Sequence, residues 1–173
     1  MSIREPTAER AALLMEKYGS PLYVYDAERV RSAYWDFTAA FAYSPAEFHY
    51  AIVCNKNRHL VRLLHALGAG VHANTPGDAF AALKAGVPPN RILYSGTNLD
   101  AADLEFLLGH RIRLNLDSID QLRDFAARSP GGAVGLRILV DEPTRPNRME
   151  SRSVPACPLG PLGPPPPEPL EPR

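Results

Sequence analysis

Few side chains in this sequence of 173 residues are placed to do chemistry, and their spacing narrows what that chemistry is. Lys56 follows an apolar β-type run, where a strand is expected to turn into a loop, and carries an amine that could act as a nucleophile. Its plain alternative is a solvated loop lysine. Lys84 lies on a helix and reads as a surface residue. Of the five histidines, His49, His59, His65 and His110 lack the spacing of metal ligands and read as surface residues. His72 stands at the end of a short strand, where it either meets a ligand or caps the strand. Arg137 occupies a similar position further along and either supports a bound group or makes an ordinary structural pair. No GxGxxG or other phosphate-binding glycine loop is present, so nothing supports a nucleotide reading.

The bulk composition removes several function classes. Nineteen basic and nineteen acidic side chains cancel, which leaves no electrostatic case for nucleic acid or an anionic membrane as the main partner. With 45% hydrophobic and 22% charged residues the chain has an ordinary globular composition. No apolar run reaches the roughly 18–20 residues that span a bilayer. The charged N-terminus lacks the apolar stretch of a secretory signal. Only two cysteines occur, Cys54 and Cys157, so the expected setting is reducing and cytoplasmic.

The elements that must position these residues alternate between β and α. A helix over 7–18 starts at Thr7 and ends at Gly19. A short strand is expected over 22–25, then a helix opened by Asp26 with Val30, Phe37 and Phe41 on its apolar side. Residues 48–53 read as a strand. Leu60, Leu63, Leu64 and Leu67 then recur at helical spacing up to Gly68. A strand over 70–73 leads into Thr75-Pro76-Gly77-Asp78, which suits an N-cap, a first-turn proline and an acidic third position. Strands over 91–94, 112–116 and 134–140 alternate with helices opened by Asp100 and by the capping box Ser118-Ile119-Asp120-Gln121. The expected inward residues are Leu104, Leu107 and Leu108 in the first of these helices, and Ile119, Leu122 and Phe125 in the second. Repeated β-then-α units predict right-handed crossovers and a parallel sheet. From 143 onward, 11 of the 18 prolines fall in 31 residues. Proline removes backbone donors and fixes φ, so this tail is expected to be disordered or polyproline-like and to continue neither sheet nor helix.

The run Tyr50-Ala51-Ile52-Val53-Cys54-Asn55, followed by Leu60, Val61, Leu64 and Gly68, resembles the cofactor-attachment segment of a known enzyme family. These are the ornithine, diaminopimelate and arginine decarboxylases of the alanine-racemase-like type. Tyr18-Gly19-Ser20-Pro21-Leu22-Tyr23-Val24-Tyr25-Asp26 is similar to the family's opening segment. Thr75-Pro76-Gly77-Asp78, Arg91-Ile92-Leu93-Tyr94-Ser95-Gly96, Leu114-Asn115-Leu116-Asp117-Ser118 and Gly135-Leu136-Arg137-Ile138 resemble later strand ends. The likeness runs over about 15–148 and is strongest to the diaminopimelate branch.

This resemblance implies an α/β fold, a partial (β/α)8 TIM barrel with chemistry at the C-terminal ends of its strands. Its expected divisions are residues 1–142, the N-terminal part of the barrel, and 143–173, the proline-rich tail, with the family's C-terminal β-domain absent. It implies pyridoxal 5'-phosphate as cofactor, decarboxylation of an amino acid as the reaction, and a homo- or hetero-dimer as the assembly. The lysine that forms the family's Schiff base corresponds to Val53, which has no nucleophile. Where many members have an acid at the end of the next strand this chain has His72, so two neighbouring functions have changed together. At Cys54 the family takes a small residue, which implies a packed thiol.

Lys56 is the candidate to replace the missing lysine. Strand alternation gives it the opposite parity to Val53, and an extended chain would shift its origin by up to roughly 10 Å. A tight turn would bring it back. Arg137 and His72 are the candidate cofactor contacts, and no residue set suggests a metal. The expected function is a pyridoxal-phosphate-dependent decarboxylase in truncated form. The alternative is a non-catalytic relative that binds an active homologue. The abrupt change of composition after Met149 predicts a frameshift or premature end in GC-rich coding DNA. An unclosed barrel is also expected to expose two edges and part of an apolar interior, giving a marginal or associating product.

Overall fold

A computed structural model describes residues 7–139 together with the strand at 151–158. Its elements are α1 (Ala8–Tyr18), α2 (Ala27–Ala39), β1 (His49–Ala51), α3 (Arg58–Ala66), β2 (Gly70–Ala73), α4 (Pro76–Lys84), β3 (Ile92–Ser95), α5 (Ala101–Gly109), β4 (Arg113–Leu116), α6 (Ile119–Arg128), β5 (Ala133–Leu139) and β6 (Ser151–Pro158). The sheet runs in sequence order from β1 to β6. Its first five strands are parallel, which is the arrangement a β/α alternation forces.

The helix starts follow local chemistry. Thr7, Asp26, Thr75, Asp100 and Ser118 each accept a backbone N–H in the first turn of the helix they open. At the other end, α3 and α4 are followed by Gly68 and Gly86, whose φ values of 107° and 90° suit glycine alone.

Register sorts the strand residues onto two faces. Val71, Ile92, Tyr94, Leu114 and Leu116 pack beneath the helices with Val61, Ala79, Ala82, Leu104, Leu107 and Phe125, and this layer is the core. The opposite face carries the row Ala51, His72, Leu93 and Arg113, and beyond it Ser95, Asn115 and Gly135. That face is largely polar, so the expected exposure of an apolar barrel interior is corrected. The apolar layer lies between sheet and helices instead.

Exposed apolar side chains concentrate elsewhere, in the N-terminal arm, where Leu13, Tyr23, Trp35, Phe37, Phe41 and Tyr43 are each at least 50% exposed. Neither α1 nor α2 has a buried residue. Beside this arm α2, β1 and α3 border an open apolar cleft of about 420 Å3 lined by Val30, Tyr34, Phe37, Phe48 and Leu64.

Several expectations are revised. Residues 22–25 form no strand and join no ladder among the described residues, and Tyr23 is 86% exposed, because β propensity without a neighbouring edge makes no ladder. The strand expected over 48–53 stops at Ala51, and Ile52–Cys54 turns as one 3-10 unit. Ile119 faces solvent, and Gln121 takes the buried place beside Phe125. The Ser118 box closes differently too, because Gln121 Oε1 accepts from Asp117 N rather than from the cap residue. Leu108 is only partly buried, whereas Leu104 and Leu107 are enclosed.

The proline-rich tail also departs from expectation, since Ser151–Pro158 pairs antiparallel with β5. Proline is tolerated here because β6 is an edge strand. Pro155 falls at the irregularity opposite Gly135, and Pro158 ends the strand. The rest of 143–173 lies outside the described residues, as does Val140.

Candidate functional site

Parallel strands place their following loops side by side at one end of the sheet. The loop after β1 carries Val53, Cys54, Asn55 and Lys56, and the loop after β2 carries Asn74 and Thr75 before α4 begins. The 3-10 turn at Ile52–Cys54 folds the first of these back on itself, with Asn55 N donating to Ile52 O at 3.1 Å. That turn overrides the parity argument for Lys56, which assumed an extended chain. Lys56 Nζ reaches Asp78 Oδ1 at 2.6 Å.

Asp78 is the centre of this corner. Its side chain is 1% exposed, against 56% for Lys56. The Oδ2 atom accepts from Asn74 N at 3.2 Å and Thr75 N at 3.1 Å, and Thr75 Oγ1 in return accepts from Asp78 N. Burial pushes the carboxyl up. The Lys56 ammonium and the hydrogen bonds from Thr75 and the Asn74 backbone outweigh burial and hold the group below its ordinary value of 3.8. The sequence marks Asp78 as a helix-cap residue. Its service to Lys56 was missed, although an acid opening the helix after β2 stands beside the loop after β1 in any parallel sheet.

A second set of bonds shapes the same loop. Tyr50 Oη donates to Asn55 O at 3.1 Å, Asn55 Nδ2 donates to Tyr25 Oη at 2.8 Å, and Asn57 N donates to Asn55 Oδ1 at 2.9 Å. Tyr25 comes from the segment that failed to make a strand, so its contribution was not legible locally. Val53 itself is 58% exposed. Cys54 is a free, exposed thiol, which corrects the packed thiol expected there: the turn carries it outward.

His72 lies within β2, half-buried, on the polar face. Burial first, then His49 and Arg137, push its pKa below the usual 6.5, with Asp78 pulling the other way. Arg137 is half-buried on β5. The structure therefore brings His72 into the electrostatic range of Arg137 and Asp78. Among the described residues no hydrogen bond or ion pair joins Lys56 to His72 or to Arg137. Of the other histidines, His49 sits against Glu47 in a cluster with Arg91 and Arg113 at the opposite strand ends. No group of metal-ligating side chains occurs among the described residues.

A pH dependence follows from His72. Its folded pKa lies below its unfolded value, so its neutral form contributes stability fully above about 6.5, lost as pH falls below that value toward the folded pKa. Thermal melts from pH 7.5 to 5 are expected to show this loss, and His72→Gln to flatten it. A loss of the same size in His72→Gln would assign the dependence to another group.

With the geometry established, the comparisons fix the class. The family profile described as "Pyridoxal-dependent decarboxylase, pyridoxal binding domain" matches residues 27–154. The chain belongs to this family, whose cofactor is pyridoxal phosphate, and its fold is part of the family's barrel. Diaminopimelate decarboxylase of Methanothermobacter thermautotrophicus is 40% identical over 124 residues, 70% of this chain and 29% of that protein. The Aquifex aeolicus diaminopimelate decarboxylase is 34% identical over 140 residues, 77% of this chain and 33% of that protein.

Among solved structures, diaminopimelate decarboxylase from Helicobacter pylori complexed with L-lysine superposes with a TM-score of 0.63 at 30% identity, covering 68% of this chain and 30% of that one. Ornithine decarboxylase from Entamoeba histolytica gives 0.67 at 26% identity, covering 75% and 42%. The chain thus spans about a third of the length of the curated relatives it matches.

Covalently held pyridoxal phosphate needs a primary amine at the strand end after β1. The sequence likeness puts valine at that position, and the neighbouring amine of Lys56 is engaged by a buried carboxylate. The residues present do not fit a covalently attached cofactor.

Proposed function

We propose that this chain is the cofactor-side part of a pyridoxal-phosphate-dependent decarboxylase barrel of the diaminopimelate, ornithine and arginine type, in which covalent attachment has been lost. The observation that carries this reading is a well-ordered loop after β1 with valine, not lysine, within its turn. The loop has a 3-10 turn and is held by bonds among Tyr50, Asn55 and Tyr25. As a non-catalytic relative, such a chain would act by pairing with a second copy or an active homologue. The exposed apolar arm and the cleft between α2 and β1 support an association of that kind. A cytoplasmic setting goes with this reading. Among the described residues no helix is long and apolar enough to cross a membrane.

One observation favours a second reading, in which Lys56 has taken over. The 3-10 turn returns its side chain to the strand ends, which an extended loop would not have done. His72 and Arg137 would then be cofactor contacts, and a dibasic amino acid the substrate. The test is equimolar pyridoxal phosphate, borohydride and peptide mass mapping. The expected result is no adduct above background on any lysine peptide and no decarboxylation of diaminopimelate, ornithine or arginine. A trapped adduct that disappears in Lys56→Ala would replace the first reading with the second.

A further inference from the structure

The chain has three lysines, Lys17, Lys56 and Lys84, and the structure describes the surroundings of each. Lys17 and Lys84 lie over the rings of Tyr18 and Phe80, each 5.2 Å from the centroid, and neither has a carboxylate partner among the described residues. Among the described residues Lys56 is the one lysine paired with a carboxylate, and that carboxylate is itself almost wholly buried. Its own side chain is 56% exposed, so reagents in solution can reach it.

We propose that Asp78 acts as a lock on Lys56, and that this ion pair keeps the amine nearest the strand ends from assuming the covalent role lost at Val53. The inference rests on the reading that position 53 no longer serves. An amine attacks the cofactor's aldehyde carbon as the neutral base. The C=N bond forms, the carbonyl oxygen leaves as water, and borohydride then delivers hydride to the carbon, leaving a secondary amine. For Lys56 to begin this it must give up its proton and leave Asp78. The carboxylate is ionised at neutral pH, held so by Thr75 and the Asn74 backbone as well as by Lys56. Withdrawing Lys56 removes the counter-charge of a buried carboxylate that keeps only its backbone donors, a modest cost on top of the deprotonation.

The pair also fastens the loop after β1 to the start of α4, so its position is set by two elements rather than by one flexible side chain. Exposure alone would make Lys56 label about as fast as Lys17 and Lys84. The lock makes it the slow one.

The experiment compares the three lysines within one molecule, using excess pyridoxal phosphate with borohydride and, separately, a lysine-acylating succinimidyl ester. In the unmodified chain the Lys56 peptide is expected to label about fivefold more slowly than those of Lys17 and Lys84 with both probes. Asp78→Asn should bring it to within about twofold of them, while Asp78→Glu, which keeps the charge, should leave it slow. Thr75→Ala, which weakens the α4 cap and leaves the carboxylate, should also leave it slow.

Equal labelling of all three lysines in the unmodified chain would overturn the proposal without recourse to any variant. So would an unchanged Lys56 rate in an Asp78→Asn protein whose Lys17 and Lys84 rates are normal. Failure of Val53→Lys to take up cofactor bears only on the reading of position 53, so the two failures are distinguishable.

Discussion

Substituting lysine for Val53 is expected to convert a chain with background uptake into one that traps about one pyridoxyl group per molecule under borohydride, mapped to residue 53. The expectation rests on the loop rather than on the side chain it lacks. The Ile52–Cys54 turn, the Tyr50 bond to Asn55 O and the Asn55 bond to Tyr25 are in place with valine present. A lysine at 53 would thus start from a loop already shaped, and preorganisation is where most of the cost of such a site lies. Unlike Lys56, it has no assigned partner to leave. The measurement is the equimolar trapping experiment, with Val53→Met as a control for side-chain bulk. Uptake in Val53→Lys no higher than in Val53→Met would show that the loop is no longer an attachment site. The reading of this barrel as a dormant decarboxylase segment would fall with it.

The second large effect is on stability. Asp78→Ala is expected to destabilise the folded chain by about 1–3 kcal/mol, because two part-buried backbone donors, Asn74 N and Thr75 N, lose their acceptor. The ion pair itself adds less, under about 1 kcal/mol, since the Lys56 end is exposed and screened by solvent. Thr75→Ala, which removes only the cap hydroxyl, is expected to lose about 1 kcal/mol. Urea unfolding at pH 7 separates the two. A loss under about 1 kcal/mol in Asp78→Ala would mean that water satisfies those donors and that the corner is not a buried anchor.

The same variant predicts a pH signature, because the Asp78 pKa is depressed in the folded state. Its stabilising share is present above the unfolded value of 3.8 and is lost as pH falls through the folded pKa. It therefore lies below the window in which His72 acts.

Much of the architecture is legible one segment at a time. The helix starts at Thr7, Asp26, Thr75, Asp100 and Ser118 are local events: a side chain accepts a backbone N–H two or three residues on. The glycines after α3 and α4 are local for the same reason. Valine in the attachment motif, and histidine where an acid is usual, are likewise properties of the chain read in order. The likeness to the family is read from them before any coordinates, and the loss of the covalent residue is what that likeness implies.

Segment by segment, however, nothing says which edge a β-prone stretch will find. Residues 22–25 have strand composition and no strand partner among the described residues, whereas Ser151–Pro158 has two prolines and an edge that admits them. Pairing is a property of two strands, and one strand's composition constrains it weakly.

The fate of Lys56 belongs to the same class. Counted along a strand it points away from the site, but a three-residue turn and a carboxylate 22 positions on bring it back and hold it. By itself the sequence determined that position 53 has no amine, because that depends on one side chain. Only the tertiary structure decided that Lys56 is held by Asp78, because that contact is created by the packing of neighbouring β/α units, whose loops meet only once the sheet has formed.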